Sequence, residues 1–280
     1  ARAASTRGTG DLLRAALDAG ATQITLGLGG SATTDGGSGL LTALGLRLLD
    51  AAGQELEPGG AALAGLAEVL ADGLDPRLAD VQLTIASDVT NPMCGPNGAA
   101  ATYGPQKGAD PATVEELDAA LATWGRAIEE VQGRFVADIP GAGAAGGTTA
   151  GLLGFTSAKV RPGAEVVAEL VGLADALEAA DLVITGEGRA DEQTLSGKAA
   201  MGVARLARSR NAPVVLLCGA LGPGAAALDA SGTFAVVQPI GDRPMPLEEA
   251  MGDTERLLAN AAERVARTVE IGIGLAEHGG

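Results

Sequence analysis

The chain has 280 residues, of which 46% are apolar but only 2% aromatic, and its formal net charge is −16. The negative charge repels a phosphate backbone and the shortage of aromatic rings leaves no stacking platform, so we exclude nucleic-acid binding. His278 is the only histidine, which excludes a Ser-His-Asp triad. Cys94 and Cys218 are too few for a zinc cluster. No apolar stretch is long enough to span a bilayer, so we expect a cytoplasmic protein without membrane contact.

The first part of the chain alternates helices and strands. Asp11–Ala19 has the apolar spacing of a short amphipathic helix. Strands are predicted at Gln23–Leu28 and Val81–Val89, and a glycine-rich turn leads from the first strand into a helix. Between the strands, Leu46–Leu56 reads as a hairpin that turns at Ala51–Gly53.

The clearest helical pattern begins at Asp110, which is a favourable N-cap, with Pro111 at the first helical position. Apolar residues then recur every three or four positions, which predicts a core-facing helix. These residues are Val114, Leu117, Leu121, Trp124, Ile128 and Val131. The low-complexity segment Pro140–Gly151 follows this helix.

The last part of the chain alternates short apolar strands with helices, which predicts a parallel sheet covered on both faces. The predicted strands are Asp181–Thr185, Pro213–Cys218 and Phe234–Gln238. The predicted helices are Glu165–Ala179, Ala199–Arg208, a short one near Ala225 and a long one over Leu247–Ile271. We therefore predict an α/β protein of two lobes, residues 1–162 and residues 163–280.

Ligands of open α/β sheets bind beyond the carboxyl ends of the strands, and the first candidate loop follows the first strand. Gly29 and Gly30 let the backbone approach an anion, and Ser31 and Thr33 add hydroxyl donors. Asp35 could hold a cation or a ligand hydroxyl. The alternative is a tight turn in which Asp35 caps the next helix.

The second candidate loop follows the strand at Val81–Val89. Asp88 and Asn91 carry oxygen atoms suited to Mg²⁺ or to sugar hydroxyls, and Lys107 is a possible phosphate contact. Asn91-Pro is also an ordinary turn former, so a plain turn is the alternative.

The third loop, Gly141–Gly146, matches the pattern G-x-G-x-x-G. A dinucleotide-binding fingerprint must follow a strand, whereas Val136–Ile139 is a poor strand ended by Pro140. We therefore expect a flexible or backbone-exposing loop at Gly141–Gly146. A dinucleotide-binding oxidoreductase that uses this loop is the alternative to the reaction described below.

The fourth candidate loop, Thr185–Lys198, follows a predicted buried strand. Its polar side chains include Glu187, Arg189, Asp191, Thr194 and Lys198. Charges beside apolar strands are unfavourable unless they bind a ligand or one another, so a structural ion-pair cluster is the alternative. Phosphoryl transfer suits these loops, because it needs Mg²⁺, cationic groups and backbone N–H donors and no tuned histidine.

Five segments in this order resemble the motifs of the bacterial type I glycerate kinases. They are Gly29-Gly-Ser-Ala-Thr-Thr-Asp-Gly-Gly, Asp88-Val-Thr-Asn-Pro, Gly104-Pro-Gln-Lys-Gly, Gly143-Ala-Ala-Gly-Gly, and Thr185-Gly-Glu-Gly-Arg with Asp191, Gln193, Thr194 and Gly197-Lys. The resemblance implies ATP- and Mg²⁺-dependent phosphorylation of D-glycerate, usually at the 2-hydroxyl to give 2-phosphoglycerate. It also implies two α/β lobes with the site in the cleft between them.

The resemblance and the chemistry together suggest roles for individual residues. Asp88 and Asp191 are expected to bind Mg²⁺ or to orient the glycerate hydroxyl, and Arg189 or Lys107 to neutralise charge in the transition state. Substrate or nucleotide contacts are expected from Gly29, Gly30, Ser31, Thr33, Asp35, Asn91, Gly146, Glu187, Thr194 and Lys198.

Members of that family begin with a strand and an Ala-Pro-Asp-Ser-Phe-Lys-Gly type of loop, followed by an Asp-Gly-Gly-Glu-Gly loop, and neither occurs here. The resemblance therefore predicts a C-terminal lobe that is a flavodoxin-like parallel sheet lacking its N-terminal strands. Besides glycerate and ATP, the expected partners are a second copy of the chain or the missing N-terminal segment. An inactive ligand-binding fragment is a further alternative.

Overall fold

The computed structural model describes residues 1–195 and 199–278. The chain forms two compact units, Ala1–Gly163 and Ala164–Gly280. The first unit ends one residue after the boundary expected at residue 162. Each unit contains a parallel sheet and packed helices, which confirms the predicted α/β class.

The first unit has a parallel three-stranded sheet and a short antiparallel pair. Its elements are α1 (Arg7–Asp18), β1 (Gln23–Gly27), α2 (Ser38–Ala43), β2 (Arg47–Leu49), β3 (Glu68–Leu70), β4 (Gln82–Ala86), α3 (Ala99–Tyr103), α4 (Pro111–Gln132), α5 (Ala144–Phe155) and β5 (Lys159–Arg161). The parallel sheet has the order β1-β4-β5, and Gly27 lies in register with Ala86, which pairs with Arg161. The carboxyl ends of the three strands therefore meet at one edge.

The predicted hairpin at Leu46–Leu56 is only partly correct. The turn is present: Leu49 bridges to Glu55, and the N–H groups of Asp50 and Leu56 donate to the carbonyl oxygens of Gln54 and Leu48. The Asp50 carboxylate accepts from two backbone N–H groups within the turn. The main partner of β2 is β3, which lies further along the chain. Leu48 pairs with Val69 and both side chains are buried, so the pairing with β3 adds apolar contacts to the core. The residues after the turn are mostly polar and could not add such contacts.

Helix α4 confirms the predicted cap, because the Asp110 carboxylate accepts a hydrogen bond of 2.8 Å from the Thr113 N–H. Four residues of its apolar stripe are fully buried: Leu117, Leu121, Trp124 and Ile128. Val131, in the last turn, is 43% exposed. The Trp124 indole donates to the Gly36 carbonyl oxygen at 2.9 Å and stacks on Phe155, so α4 is tied to the loop before α2 and to α5.

The expectation of a flexible or backbone-exposing loop at Gly141–Gly146 is wrong, because these residues are largely buried and the last three lie in a helix. Helix α5 begins at Ala144 and is almost entirely buried, with left-handed backbone at residues 145–147 that kinks its first turn. Its glycines allow neighbouring backbone to approach closely. A Cβ added at Gly151 would come within 2.3 Å of the Gly36 carbonyl oxygen. A glycine-rich composition is typical of loops, but in this segment it allows the backbone of α5 to pack closely against neighbouring backbone.

The second unit has a parallel sheet of order β6-β7-β8. Its elements are α6 (Gly163–Leu170), α7 (Leu173–Ala176), β6 (Val183–Ala190), α8 (Glu192–Leu195), α9 (Ala199–Arg208), β7 (Val214–Leu221), α10 (Ala226–Ala230), β8 (Val236–Pro239), α11 (Leu247–Gly252) and α12 (Thr254–His278). The predicted helix Glu165–Ala179 is interrupted at residues 171–172, and the predicted final helix is divided at Asp253.

The prediction that both faces of this sheet are covered is confirmed by the alternating residues of β7. Val214 and Leu216 pack in one core with α9, whereas Val215 and Leu217 pack in another with α12. Strand β6 extends to Ala190, five residues beyond the predicted end at Thr185. Within residues 1–195 and 199–278, no helix is long and apolar enough to cross a membrane.

Gly146→Ala tests the close packing at the start of α5. A Cβ at Gly146 would come within 2.0 Å of the Thr33 carbonyl oxygen, at a residue whose φ is +68°. We expect the free energy of unfolding to fall by about 3 kcal/mol or more, from left-handed strain and overpacking together. The only tryptophan, Trp124, reports unfolding of this unit by fluorescence during urea denaturation.

Gly133→Ala is the matched control, because Gly133 has a φ of +64° and open space where a Cβ would lie. This variant should lose only about 1 kcal/mol, the cost of the left-handed backbone. Equal losses in the two variants would contradict the inferred role of Gly146.

Candidate functional site

The first group of candidate residues lies where β1, β4 and β5 end. The segment after β1 contains Gly29 and Gly30, which are exposed, and Ser31 and Thr33, which are half-buried. In the described part of the chain, the hydroxyls of Ser31 and Thr33 have no hydrogen-bond partner. This segment therefore presents backbone and hydroxyl groups that can bind an anion.

Asp35 has a different role from the one expected. Its side chain is fully buried, and Oδ2 accepts from the Thr6 N–H at 2.7 Å and the Thr6 hydroxyl at 2.8 Å. Two further contacts are longer, from Gly37 N–H at 3.2 Å and Gly39 N–H at 3.3 Å. The predicted ligand contact is therefore corrected: Asp35 anchors the start of α1 and the turn before α2, close to the capping alternative.

Lys107 connects a later segment to the first loop. Its Nζ donates to the Thr33 carbonyl oxygen at 2.7 Å, although the two residues are far apart in sequence. Burial lowers the pKa of Lys107, and the nearby Asp35 carboxylate opposes that shift. Since Lys107 is only partly buried, the ammonium group supplies positive charge beside the Gly29–Thr34 backbone.

Asp88 and Asn91 follow β4 at the same edge of the sheet. Asp88 is exposed, and its Oδ1 accepts from the Gly163 N–H at 2.9 Å, beyond the end of β5. Asn91 is held from both ends of its amide: Oδ1 accepts from the Tyr103 hydroxyl at 2.8 Å, and Nδ2 donates to the Asn97 carbonyl oxygen. Asn91 is therefore oriented by protein contacts, whereas the Asp88 carboxylate faces solvent.

Cys94 lies next to this loop and is half-buried. Burial raises the pKa of its thiol to about 12, with smaller contributions from Asp118 and Asp138. At neutral pH the thiol is almost entirely protonated, so Cys94 is not a candidate nucleophile.

The glycine-rich segment Gly141–Gly146 supports the two loops rather than binding a ligand. A Cβ at Gly141 or Gly143 would collide with the carbonyl oxygens of Val89 or Pro92, in the loop after β4. Gly146 packs equally closely on Thr33, and its carbonyl oxygen accepts from Gly36 N–H at 2.9 Å. Gly146 is therefore corrected from ligand contact to support.

The same contacts argue against the oxidoreductase alternative. Gly141, Gly143 and Gly146 are buried against protein backbone, so they cannot receive a pyrophosphate. The segment also follows a turn and not a strand, so it does not open the βαβ unit that a dinucleotide site requires.

The second group of candidate residues lies in and after β6. Glu187 and Arg189 are strand residues, not loop residues as predicted, because β6 continues alongside β7 as far as Ala190. Glu187 Oε1 accepts from the Thr194 hydroxyl at 2.6 Å, and that hydroxyl accepts from the Asp191 N–H at 3.1 Å. Thr194 is fully buried, so its predicted ligand contact is corrected to a positioning role.

Asp191 is held at the carboxyl end of β6 and its side chain is 17% exposed. Its Oδ1 accepts from the Gln193 N–H at 2.9 Å, and Oδ2 lies 3.4 Å from Arg189 Nε. Arg189 is largely exposed. The predicted contact of Lys198 falls on residues 196–198, which lie outside the described residues.

Sequence reasoning missed several residues that hold the site together. Thr6 bridges Asp35 and α2, because its hydroxyl donates to the Asp35 carboxylate and accepts from the Leu40 N–H at 2.9 Å. Tyr103 orients Asn91. The two residues of each pair are far apart in sequence, so no local pattern reveals these contacts.

Comparison with known proteins identifies the family. The family model described as the glycerate kinase family matches residues 1–270. Glycerate kinase of Halalkalibacterium halodurans is 48% identical over 262 residues, which are 94% of this chain and 69% of that protein. Glycerate 2-kinase of Escherichia coli strain K12 is 42% identical over 272 residues, 96% of this chain and 70% of that protein.

A solved structure gives the same assignment. It comes from Salmonella typhimurium LT2 and is assigned to glycerate kinase 2. It is 42% identical to this chain with a TM-score of 0.80, and the similarity covers 97% of this chain and 70% of that one. The chain belongs to the glycerate kinase family, a family of kinases.

Proposed function

We propose that this chain transfers the terminal phosphoryl group of ATP to the 2-hydroxyl of D-glycerate, with 2-phosphoglycerate as the product. The observation that carries the proposal is the match over residues 1–270 to a family whose relatives are named glycerate kinase and glycerate 2-kinase. Lys107 and the exposed backbone of Gly29 and Gly30 support it, because transfer needs an anion-binding segment with positive charge beside it.

Mg²⁺ is proposed as the cofactor, bound by one carboxylate of the protein together with oxygen atoms of the substrate phosphates. Within the described residues, no three Asp, Glu, His or Cys side chains lie close enough together to hold a metal ion by themselves. Mg²⁺ usually keeps several waters and binds one or two carboxylates together with phosphate oxygens. Asp88 of the first unit and Asp191 of the second unit are each proposed as a candidate for that carboxylate. When bound, Mg²⁺ neutralises charge on the phosphates.

Asp191 is proposed as the residue that orients the glycerate hydroxyl. The new bond joins the hydroxyl oxygen to phosphorus, the bond to the ADP oxygen breaks, and the hydroxyl proton passes to a carboxylate. The Thr194 hydroxyl accepts from the Asp191 N–H, and the Gln193 N–H donates to the Asp191 carboxylate. These contacts favour such a role, because the carboxylate needs little reorganisation when substrate binds. Arg189 is proposed to neutralise charge on the transferred group.

A cytoplasmic setting is also proposed. Cys94 and Cys218 are both free thiols, as expected in a reducing compartment. The pairing with a second copy or with a further N-terminal segment stays a prediction.

The activity is tested by supplying ATP, MgCl₂ and D-glycerate and measuring ADP release in a coupled assay. Enolase converts 2-phosphoglycerate directly to phosphoenolpyruvate, whereas 3-phosphoglycerate first needs a mutase. We expect phosphoenolpyruvate to form when enolase is added without a mutase. ADP release that does not depend on D-glycerate would contradict the proposed substrate, and a signal that requires the mutase would contradict the proposed product.

Asp191→Asn should lower kcat by about 100-fold or more, because the amide cannot take the hydroxyl proton or bind Mg²⁺ as a carboxylate does. Asn can still accept from the Gln193 N–H, so unfolding in urea should change little. Asp181→Asn, at an exposed position just before β6, is the matched control and should keep its kcat. A kcat within about twofold of the wild type would remove Asp191 from the proposed mechanism.

Lys107→Met should lower kcat/KM by at least about 10-fold, because it removes the positive charge beside the Gly29–Thr34 backbone. The lost hydrogen bond to Thr33 should reduce the free energy of unfolding by only about 1 kcal/mol, measured by Trp124 fluorescence. Lys159→Met changes an exposed residue of β5 and is the control. Equal kcat/KM values in the two variants would show that Lys107 serves only the fold.

A further inference from the structure

Hydrogen bonds connect a side chain of β6 to the backbone of Asp191. Glu187 Oε1 accepts from the Thr194 hydroxyl at 2.6 Å, and Thr194 Oγ1 accepts from the Asp191 N–H at 3.1 Å. We call these three residues the Glu187 network. The sequence predicts a ligand contact for Glu187, whereas this carboxylate is engaged by a side chain of the protein itself.

Capping of α8 accounts for only part of the Glu187 network. The Asp191 carboxylate accepts from the Gln193 N–H, and the Thr194 hydroxyl accepts from the Asp191 N–H, which is the reciprocal pattern of a helix cap. That cap uses the oxygen of the Thr194 hydroxyl and places no demand on its proton. The contact with Glu187, a residue of the preceding strand, therefore needs a separate explanation.

Other threonines in helices of this protein show where such a proton otherwise goes. Their hydroxyls donate to the backbone carbonyl oxygen three or four residues earlier, as is common for threonine in helices. They include Thr42, Thr123, Thr148, Thr254 and Thr268. Thr194 lies in a helix and donates to a carboxylate instead.

The Glu187 carboxylate therefore fixes the direction of a buried hydroxyl. Thr194 is fully buried, and a hydroxyl has one proton and two lone pairs. Hydrogen bonds to a carboxylate are stronger than neutral ones, so the proton stays on Glu187 and a lone pair stays directed at the Asp191 N–H. Without Glu187, we expect the hydroxyl to rotate towards a backbone carbonyl and to weaken its contact with Asp191.

The surroundings of Asp191 make its position sensitive to that contact. A Cβ at Gly222 would come within 2.9 Å of the Asp191 Cβ, and the Gly222 N–H donates to the Ala190 carbonyl oxygen at 2.7 Å. The residue after β7 thus packs directly on Asp191. A misplacement of about 1 Å in a reacting group can lower a rate by about 100-fold.

We propose that Glu187 is a positioning residue for Asp191, which it holds through the Thr194 hydroxyl without touching substrate. This inference rests on the role proposed for Asp191 in phosphoryl transfer. The link from Glu187 to Asp191 is nevertheless measurable without turnover, so the two can fail separately.

Amide hydrogen exchange of the full chain, followed by NMR, measures that link. Glu187→Met removes the acceptor at similar side-chain length, and the Asp191 amide should exchange at least about 10-fold faster. Glu187→Gln keeps an acceptor oxygen and should have a smaller effect. The amide of Leu216, in the middle of β7, should be unchanged, which excludes a general loss of stability.

Glu178→Met is the matched control, because it makes the same substitution at an exposed residue of the same unit. Its Asp191 amide should exchange as in the wild type. Circular dichroism during urea denaturation checks that each variant is folded. Equal exchange of the Asp191 amide in Glu187→Met and Glu178→Met would overturn the proposal, whether or not the chain turns over substrate.

Kinetics with ATP and D-glycerate separate positioning from binding and from capping. Glu187→Met should lower kcat at least about 10-fold and leave both KM values within about twofold, with Glu187→Gln in between. In an Asp191→Asn background, Glu187→Met should lower kcat no further.

Three kinetic results would overturn the proposal. A raised KM with unchanged kcat would make Glu187 a ligand contact, and a loss of stability with unchanged kcat would make the Glu187 network a helix cap only. Additive losses with Asp191→Asn would show that Glu187 acts independently of Asp191. If the wild type releases no ADP with D-glycerate, the proposed function fails, and the exchange of the Asp191 amide still decides whether Glu187 holds that residue.

Discussion

The contacts around Gly36 determine how the candidate site of the first unit is built. Its N–H donates to the Gly146 carbonyl oxygen, and its own carbonyl oxygen accepts from the Trp124 indole. A Cβ at Gly36 would come within 2.3 Å of the Trp124 ring, and its φ is +62°. Three elements, α4, α5 and the loop before α2, therefore meet at a point where only glycine fits.

A buried charge lies directly beside this contact. Asp35 is fully buried, and an unpaired carboxylate in that position would be highly unfavourable. Four donors from Thr6, Gly37 and Gly39 replace the water that the carboxylate loses on folding. Since these donors come from the start of α1 and from the start of α2, the requirement to pair the charge joins both segments. The exposed backbone of Gly29 and Gly30 is thus followed by a fixed segment, which an anion-binding loop needs.

Sequence patterns predicted the elements whose signals are local. The Asp110 cap, the apolar stripe of α4 and the alternating strands of the second unit depend on residues a few positions apart, and all are present. Contacts between distant residues could not be read in the same way. The segment at Gly141–Gly146 has the composition of a loop, and its burial depends on carbonyl groups of Val89, Pro92 and Thr33 that no local pattern reveals.

The same distinction explains why the positions of Glu187 and Asp191 were only partly predicted from the sequence. Polar residues and glycines predicted a loop from Thr185, yet pairing with β7 extends the strand, because Gly219 allows the Gly188 backbone to approach closely. The extension makes Glu187 a strand residue whose carboxylate accepts from the Thr194 hydroxyl, and it places Asp191 directly after the last residue of the strand, Ala190. The longer strand therefore places the Asp191 carboxylate at the carboxyl end of the sheet, where α/β proteins bind their ligands.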